Sequence, residues 1–157
     1  MGRYKALDIA RWFIHRNKVA EDLAGGERIT LLKLLKLLYY AEGCSLALDH
    51  GSLFSERIVA WEYGSVVPVI WDEYENDPYN SPYGSKADYD SIEKIRPEDQ
   101  DLLEDVFQNF GQYSAWKLCD MTHQETPWLE ATHNGQILNG TISRKTMTAY
   151  FKENYTE

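Results

Sequence analysis

The chain is poor in the residues that build metal sites and disulfide frameworks. Cys44 and Cys119 are its two cysteines in 157 residues, and each lies in an apolar pattern of helical spacing. We therefore expect two reduced, buried thiols in a cytosolic protein, although the sequence leaves a disulfide between them open. The sequence shows no HxxxH or CxxC spacing, so no metal site is predicted. The histidines are His15, His50, His123 and His133.

Glycine-rich phosphate loops and charge-free apolar runs are also missing. Gly25-Gly26 is a lone pair without GxGxxG or GxxxxGK spacing, so no nucleotide cofactor is expected. No apolar run reaches about eighteen residues without a charge, so no membrane span or membrane partner is expected. Arg3, Lys5 and Asp8 interrupt the first residues, which argues against a signal peptide and for a cytoplasmic location. Basic residues cluster only in the first helical segment, which argues against nucleic acid as a partner.

What the chain does contain is apolar sequence in helical patterns. Hydrophobic residues make up 43% of the chain, enough for residues 1–157 to form one domain with its own core. The segment that follows Thr30 is apolar on every side except at Lys33 and Lys36. We therefore expect a helix that runs through the middle of the domain, with Thr30 as its N-cap.

Cap and stop residues mark the other elements. We predict helices before Gly25, from Pro68 through Tyr74, from Pro97 to Gly111, from Ala115 to about Gln124, and after Thr126 and Ser143. Branched and aromatic residues between Leu53 and Trp61 predict one or two short strands, and Tyr63-Gly64-Ser65 then turns the chain. The predicted fold is mainly α: a compact single-domain helical fold around a buried central helix, with a short β-hairpin or small sheet near residues 53–65.

The stretch from Thr30 to Pro68, with a later Pro-Trp, resembles the Panacea domain, the family of SocA-like, phage-associated proteins. The family pattern is approximately KLxKLLYF, then LFxExIxAWxYGPVVP, and a later PW. The matching residues are Lys33-Leu34-Leu35-Lys36-Leu37-Leu38-Tyr39-Tyr40, Leu53-Phe54, Glu56, Ala60-Trp61, Tyr63-Gly64, Val66-Val67-Pro68 and Pro127-Trp128. Gly64-Ser65 replaces the Gly-Pro of the family, which frees a backbone N–H and loosens the turn. The resemblance runs from about Ala6 to Phe151.

The motif residues are expected to be structural for the most part. They are Lys33, Lys36, Leu37, Tyr39, Trp61, Gly64, Pro68, His123, Pro127 and Trp128. The resemblance implies that His123 and Trp128 build a corner by packing and hydrogen bonding. Lysine is costly in a core, so Lys33 and Lys36 either snorkel, pair with acids such as Glu42, Glu56 or Glu62, or line a functional groove. Trp61 and the turn after it form either a core corner or the lip of a partner site.

The net charge of −9 is confined to one part of the sequence. Residues 72–105 hold twelve acidic and three basic residues, whereas the acids and bases elsewhere cancel. We interpret residues 76–96 as an acidic, tyrosine-rich loop, because they are polar and poor in periodicity. Acids around tyrosines are typical of protein-binding surfaces. An equal alternative is that the acids form a solvent-exposed face and that the tyrosine rings pack on the domain and hold the loop in place. The predicted partner-binding residues are Trp71, Tyr74, Tyr79, Tyr83, Asp88, Tyr89, Asp90 and Glu93.

The resemblance implies an antitoxin. Panacea domains look like the antitoxin halves of toxin–antitoxin pairs, which neutralise unrelated toxins by direct contact, and many of those toxins resemble small alarmone synthetases with basic surfaces. We expect this chain to occlude the active or substrate-binding surface of a basic protein toxin. The alternatives are an adaptor that delivers a toxin to a protease and a phage-encoded inhibitor of a host protein. Because the resemblance begins near the first residue, no helix-turn-helix for DNA binding is expected.

A small enzyme is the remote alternative. Cys119 lies one helical turn before His123, a spacing that could activate a thiol. No nucleophile motif surrounds the pair, and Cys119 sits among apolar positions. No catalytic residue is therefore predicted.

Overall fold

One helix forms the centre of the fold, and the other elements pack around it. The computed structural model of the chain describes residues 2–76 and 86–156, and of residues 86–89 it gives the backbone alone. The helices in this part are α1 (Ala6–Ala24), α2 (Leu31–Ala47), α3 (Pro68–Tyr74), α4 (Lys86–Lys94), α5 (Pro97–Phe110), α6 (Ala115–His123), α7 (Thr126–Ala131) and α8 (Arg144–Tyr155). The strands are β1 (Val59–Trp61), β2 (Gly64–Val66) and β3 (Gly140–Thr141).

The central helix is α2, as its sequence predicts. It packs against α1, α3, α5, α6, α8 and β2, and Leu37 has no exposed surface. The Thr30 hydroxyl accepts a hydrogen bond from the backbone N–H of Lys33 at 3.2 Å, which satisfies one of the free donors of the first turn. A helix that is apolar on nearly every side is stable only when other elements cover every side, and here they do.

The aromatic residues of α2 hold the last helix against it. The ring of Tyr40 stacks on Phe110 of α5 with the centroids 4.1 Å apart. Tyr39 meets Phe151 of α8 edge to face at 5.4 Å. These contacts lie in the middle of α2, which also packs against β2, so the core and the motif residues are parts of one packed unit.

The predicted hairpin is confirmed, but its position is shifted by a few residues. β1 pairs antiparallel with β2 in the register Val59 to Val66, and β3 joins the other edge of β1. Phe54 makes only an isolated bridge with Tyr4 rather than a strand. Gly140 and Thr141 carry no strand signal of their own, because two residues are too few to show a period. β1 supplies the hydrogen-bonding edge that makes them a strand.

Two other local predictions need correction. Residues 86–94, which we interpreted as part of a loop, form α4, and this helix packs on α1 through Ile92 and the buried Ser91. Ala87, Tyr89 and Ile92 are the few apolar residues of this helix, and its packing on α1 supplies the contacts that stabilise it. The N-cap of α7 is Glu125 rather than Thr126, and Pro127 stands in the first turn.

Ion pairs fasten the acidic helix α5 to the N-terminal part of the fold. Asp99 of α5 is almost completely buried and lies 2.7 Å from Arg3, while Glu104 lies 2.7 Å from Arg16 of α1. Thus some of the acids in residues 72–105 are structural. Within residues 2–76 and 86–156, no helix combines the length and the apolar composition that crossing a bilayer requires.

Candidate functional site

The turn between β1 and β2 accepts only glycine at position 64. Gly64 has a φ of 104°, and a Cβ there would lie 2.5 Å from Thr122 Oγ1 and 2.6 Å from Lys36 Cε. Because Trp61 pairs with Gly64, the residues that turn are Glu62 and Tyr63 rather than the predicted Tyr63-Gly64-Ser65. Both turn residues are exposed. The motif therefore presents Glu62 and Tyr63 on a turn that is pressed against α2 and α6.

Lys36 lies under this turn, and none of its side chain is exposed. Its Nζ donates a hydrogen bond to the backbone oxygen of Ser65 at 2.9 Å. Burial lowers the pKa of Lys36 to about 8, and the electrostatic interaction with Cys119 opposes that shift. The hydrogen bond from the buried amine links β2 to α2 and so fixes the position of the turn relative to the core.

Of the alternatives for the motif lysines, pairing with acids is not the one found in the described part of the chain. Lys33 Nζ donates to the backbone oxygen of Gly111 at 2.6 Å, and Lys36 binds a carbonyl as well. The expected partners are engaged elsewhere. Glu42 lies 2.6 Å from Arg144, and Glu56 accepts a hydrogen bond from the backbone N–H of Ala6 at 2.9 Å.

His123 and Trp128 hold the end of β1. His123 Nε2 lies 2.7 Å from the backbone oxygen of Glu62, and the indole N–H of Trp128 donates to the backbone oxygen of Trp61 at 2.9 Å. The rings of His123 and Trp128 are 4.5 Å apart between centroids. The two side chains thus bind the consecutive carbonyls of Trp61, at the end of β1, and Glu62, in the turn, which leaves the turn with little freedom to move.

Two large aromatic side chains stand exposed beside the turn. Tyr63 is 50% exposed and Trp116 of α6 is 62% exposed, and their rings meet edge to face with centroids 5.5 Å apart. Trp61 and Trp71 form a second pair at 5.4 Å, half-buried. We call the exposed pair together with Glu62 and Asp120 the aromatic corner. Asp120 and Trp116 lie four residues apart on one face of α6, and Asp120 is also exposed.

Sequence reasoning did not find Trp116. A signal exists, because Leu118, Cys119 and Thr122 form the buried face of α6 and Trp116 falls outside it. A tryptophan on the polar side of a short amphipathic helix is an exposed aromatic residue, and such residues are enriched at binding surfaces.

The predicted partner-binding residues are not brought together by the structure. Tyr74 is 2% exposed, so its proposed place on the surface is wrong: α3 turns this ring into the core. Trp71 is half-buried against Trp61, whereas Asp90 and Glu93 are exposed on α4. Asp88 and Tyr89 also fall on α4. Tyr79 and Tyr83 lie outside the described residues.

The pair of Cys119 and His123 does not form an activated thiol. Cys119 is 1% exposed, and burial raises the pKa of its thiol although the charge of Lys36 opposes the shift. A nucleophilic cysteine needs access and a lowered pKa. Among the side chains that the structure describes, no group of three or more His, Cys, Asp or Glu could hold a metal ion.

A second polar cluster lies inside the fold and was not predicted. Glu125 is 2% exposed and accepts hydrogen bonds from the hydroxyls of Tyr39 at 2.8 Å, Tyr40 at 3.0 Å and Tyr155 at 2.5 Å. Burial raises the pKa of Glu125, and the three tyrosine donors oppose that shift. The cluster joins α2, α7 and α8 and explains why two tyrosines follow each other at the end of the motif.

The comparison with protein families identifies the group to which this domain belongs. Residues 34–129, more than half of the chain, match the family described as antitoxin SocA-like, Panacea domain. The chain belongs to this family. The matched Panacea residues run from α2 to α7 and include Lys36, the turn and the whole aromatic corner. Family membership supports a role as an antitoxin with a toxin as its partner. No curated protein and no solved structure matches the chain.

Proposed function

We propose that the chain is an antitoxin that neutralises its cognate toxin by direct binding, and that it covers the active or substrate-binding surface of that toxin. The family match carries this proposal, because the matched residues include most of the central helix α2 and the acidic helices α4 and α5. An antitoxin of this kind needs a shaped surface and a stable core rather than catalytic groups.

The distribution of charge supports a basic toxin. Residues of α3, α4 and α5 present exposed acids, whereas the charges of the rest of the chain balance. The exposed acids are Asp72, Glu73, Glu75, Asp90, Glu93, Glu98, Asp101 and Asp105. A surface of one sign steers a partner of the opposite sign and raises the rate of association. A toxic small alarmone synthetase, which must grip a nucleotide, fits this description.

The second candidate is an adaptor that delivers the toxin to a protease. The adaptor needs two separate surfaces, one for the toxin and one for the protease. The exposed acids of α3 to α5 and the aromatic corner are two surfaces of different chemistry, and this observation keeps the adaptor as an alternative. An inhibitor of a host protein, encoded by a phage, would use the same contacts with a different partner.

The test is a titration of toxin activity with the purified chain alone. The toxin is the protein whose gene neighbours the gene of this chain, assayed for its own activity without any protease. Occlusion predicts inhibition that saturates near one equivalent and reverses on dilution. Full toxin activity at excess chain, combined with protection of growing cells, contradicts occlusion and supports the adaptor.

A further inference from the structure

The aromatic corner has the features of a protein-binding site. Tyr63 and Trp116 come from different elements, yet both stay largely exposed while their rings touch. Large exposed aromatic side chains are uncommon away from interfaces, where tyrosine and tryptophan contribute much of the binding energy.

The turn that carries Tyr63 is held in place by contacts with α2 and α6. Lys36 binds the oxygen of Ser65, His123 lies on the oxygen of Glu62, and Gly64 leaves no space for a shift toward α2 or α6. A side chain on such a turn loses little freedom when a partner binds. Less of the interaction energy is then spent on ordering the surface.

The charges next to the rings favour a cation. Glu62 precedes Tyr63 on the turn, and Asp120 lies one helical turn beyond Trp116; both carboxylates are exposed. Lys117 is the basic neighbour on α6. A guanidinium group can stack on an indole or phenol face and still bind a carboxylate, whereas an ammonium group is more strongly hydrated and lacks the flat face.

We propose that the aromatic corner is the site at which this chain grips an arginine side chain of its toxin. Because the rings of Tyr63 and Trp116 stand at 88° to each other, the guanidinium lies flat on one ring and contacts the other, and Glu62 and Asp120 pair with it. This inference rests on the proposed antitoxin function and names the contact that function uses. The exposed acids of α4 and α5 attract the basic partner at long range, and the aromatic corner selects arginine over lysine at short range.

Binding of labelled nona-arginine and nona-lysine to the whole chain tests the chemistry of the site. Fluorescence anisotropy should show tighter binding of nona-arginine, and Trp116→Ala should weaken that binding by about tenfold while changing nona-lysine binding much less. Glu62→Gln with Asp120→Asn should weaken binding of both peptides. Leu23→Ala removes an 84% exposed apolar side chain elsewhere and should change neither. Equal losses for the two peptides with Trp116→Ala, or no loss, would overturn the proposal.

A growth assay with the toxin separates this inference from the function on which it rests. Cells that express the neighbouring toxin should recover with the wild-type chain and with Leu23→Ala but not with Trp116→Ala or Tyr63→Ala. Circular dichroism melts of all variants check that the fold is kept. If the wild-type chain never restores growth, the proposed function is wrong, and the peptide experiment still decides the chemistry of the corner. If Trp116→Ala and Tyr63→Ala both restore growth as well as wild type, the contact is wrong and the function stands.

Two other occupants of the corner would also overturn the proposal. A dimer seen by light scattering that Trp116→Ala dissolves would mean that a second copy of the chain covers the rings. Binding of a labelled single-stranded RNA that depends on Trp116 would mean that the rings stack on bases instead.

Discussion

At the residue scale, Lys36 is the most unusual side chain of the fold, because its fully buried amine donates a hydrogen bond to a neutral backbone carbonyl, that of Ser65, rather than to a carboxylate. Its pKa is about 8 in the folded chain and has the ordinary value of 10.5 in the unfolded chain. Below about pH 8 both states hold the proton, and folding bears the full cost of burying the charge. Between these two pKa values the unfolded state alone keeps the proton, so a rise in pH favours the folded state.

The free energy of unfolding of the wild-type chain, taken relative to that of Lys36→Met, should therefore rise by roughly 2 to 3 kcal/mol between about pH 7 and pH 10. Urea melts of both proteins across this range measure the difference. Titratable groups that do not interact with Lys36 contribute equally in both proteins and cancel, whereas Cys119 interacts with Lys36 and remains part of the difference. Parallel pH curves would show that Lys36 keeps its proton in the folded chain.

Glu125 makes a second prediction at this scale. Tyr39→Phe removes one of its three hydroxyl donors inside the core and should lower the free energy of unfolding by about 1 to 3 kcal/mol, because the bond to a charged group is lost while the carboxylate stays buried. Tyr113→Phe is the control, since Tyr113 lies outside this cluster and is half-buried. Chemical denaturation of both variants gives the two values. Equal stability of Tyr39→Phe and wild type would mean that the other two tyrosines satisfy Glu125 by themselves.

At the element scale, the stability of the fold depends on α2. Leu37→Ala should lower the free energy of unfolding by about 2 to 5 kcal/mol, because Leu37 has no exposed surface and the helices around it cannot fully close the cavity. Leu23→Ala on α1 is the matched control and should change stability by less than about 0.5 kcal/mol. A loss below about 1 kcal/mol for Leu37→Ala in denaturant melts would remove α2 from the centre of the fold.

The elements also show what the sequence could predict and what it could not. Thr30, Ser114 and Ser143 each accept a hydrogen bond from the backbone N–H three residues later, as their positions before apolar runs indicate. α4 could not be predicted, because its stability comes from contacts with α1. The bonds of Glu125 to Tyr39 and Tyr40 span more than eighty residues, and no local pattern encodes such pairs.

Only part of the aromatic corner could be predicted from the sequence. The sequence motif placed Tyr63 on a turn and offered the corner around Trp61 as one of two possible roles. That Trp116 meets Tyr63 depends on the packing of α6 against β2, which is a tertiary contact. For the acidic segment, residues 72–105, the charge was evident from the sequence, but helix α4 and the burial of Tyr74 were not.

At the scale of the whole molecule, most of the excess negative charge lies on exposed positions in and next to α3, α4 and α5. Asp90→Lys with Glu93→Lys should slow association with a basic toxin by about three- to tenfold at low salt and weaken the salt dependence of the rate, because both side chains are exposed on α4 and steer the partner. Stopped-flow binding measures the rates, and the melting temperature should change little.

The control for this pair is Glu27→Lys with Glu153→Lys, which changes the net charge equally through exposed acids outside the acidic helices. Its association rate should fall less than that of the α4 variant. Equal slowing by both pairs would mean that the net charge of −9, rather than the face of α4, sets the rate.

The exposure of Trp116 also gives the chain an optical reporter. Trp12 and Trp128 are 7% and 8% exposed, and Trp61 and Trp71 are half-buried, so a neutral quencher such as acrylamide reaches Trp116 before the other four indoles. Iodide is less suitable, because a molecule with a net charge of −9 repels it. The readily quenched part of the intrinsic tryptophan fluorescence therefore comes mainly from Trp116. A partner that binds at the turn beside it should either quench this fluorescence or protect it from acrylamide, so binding can be followed without a label.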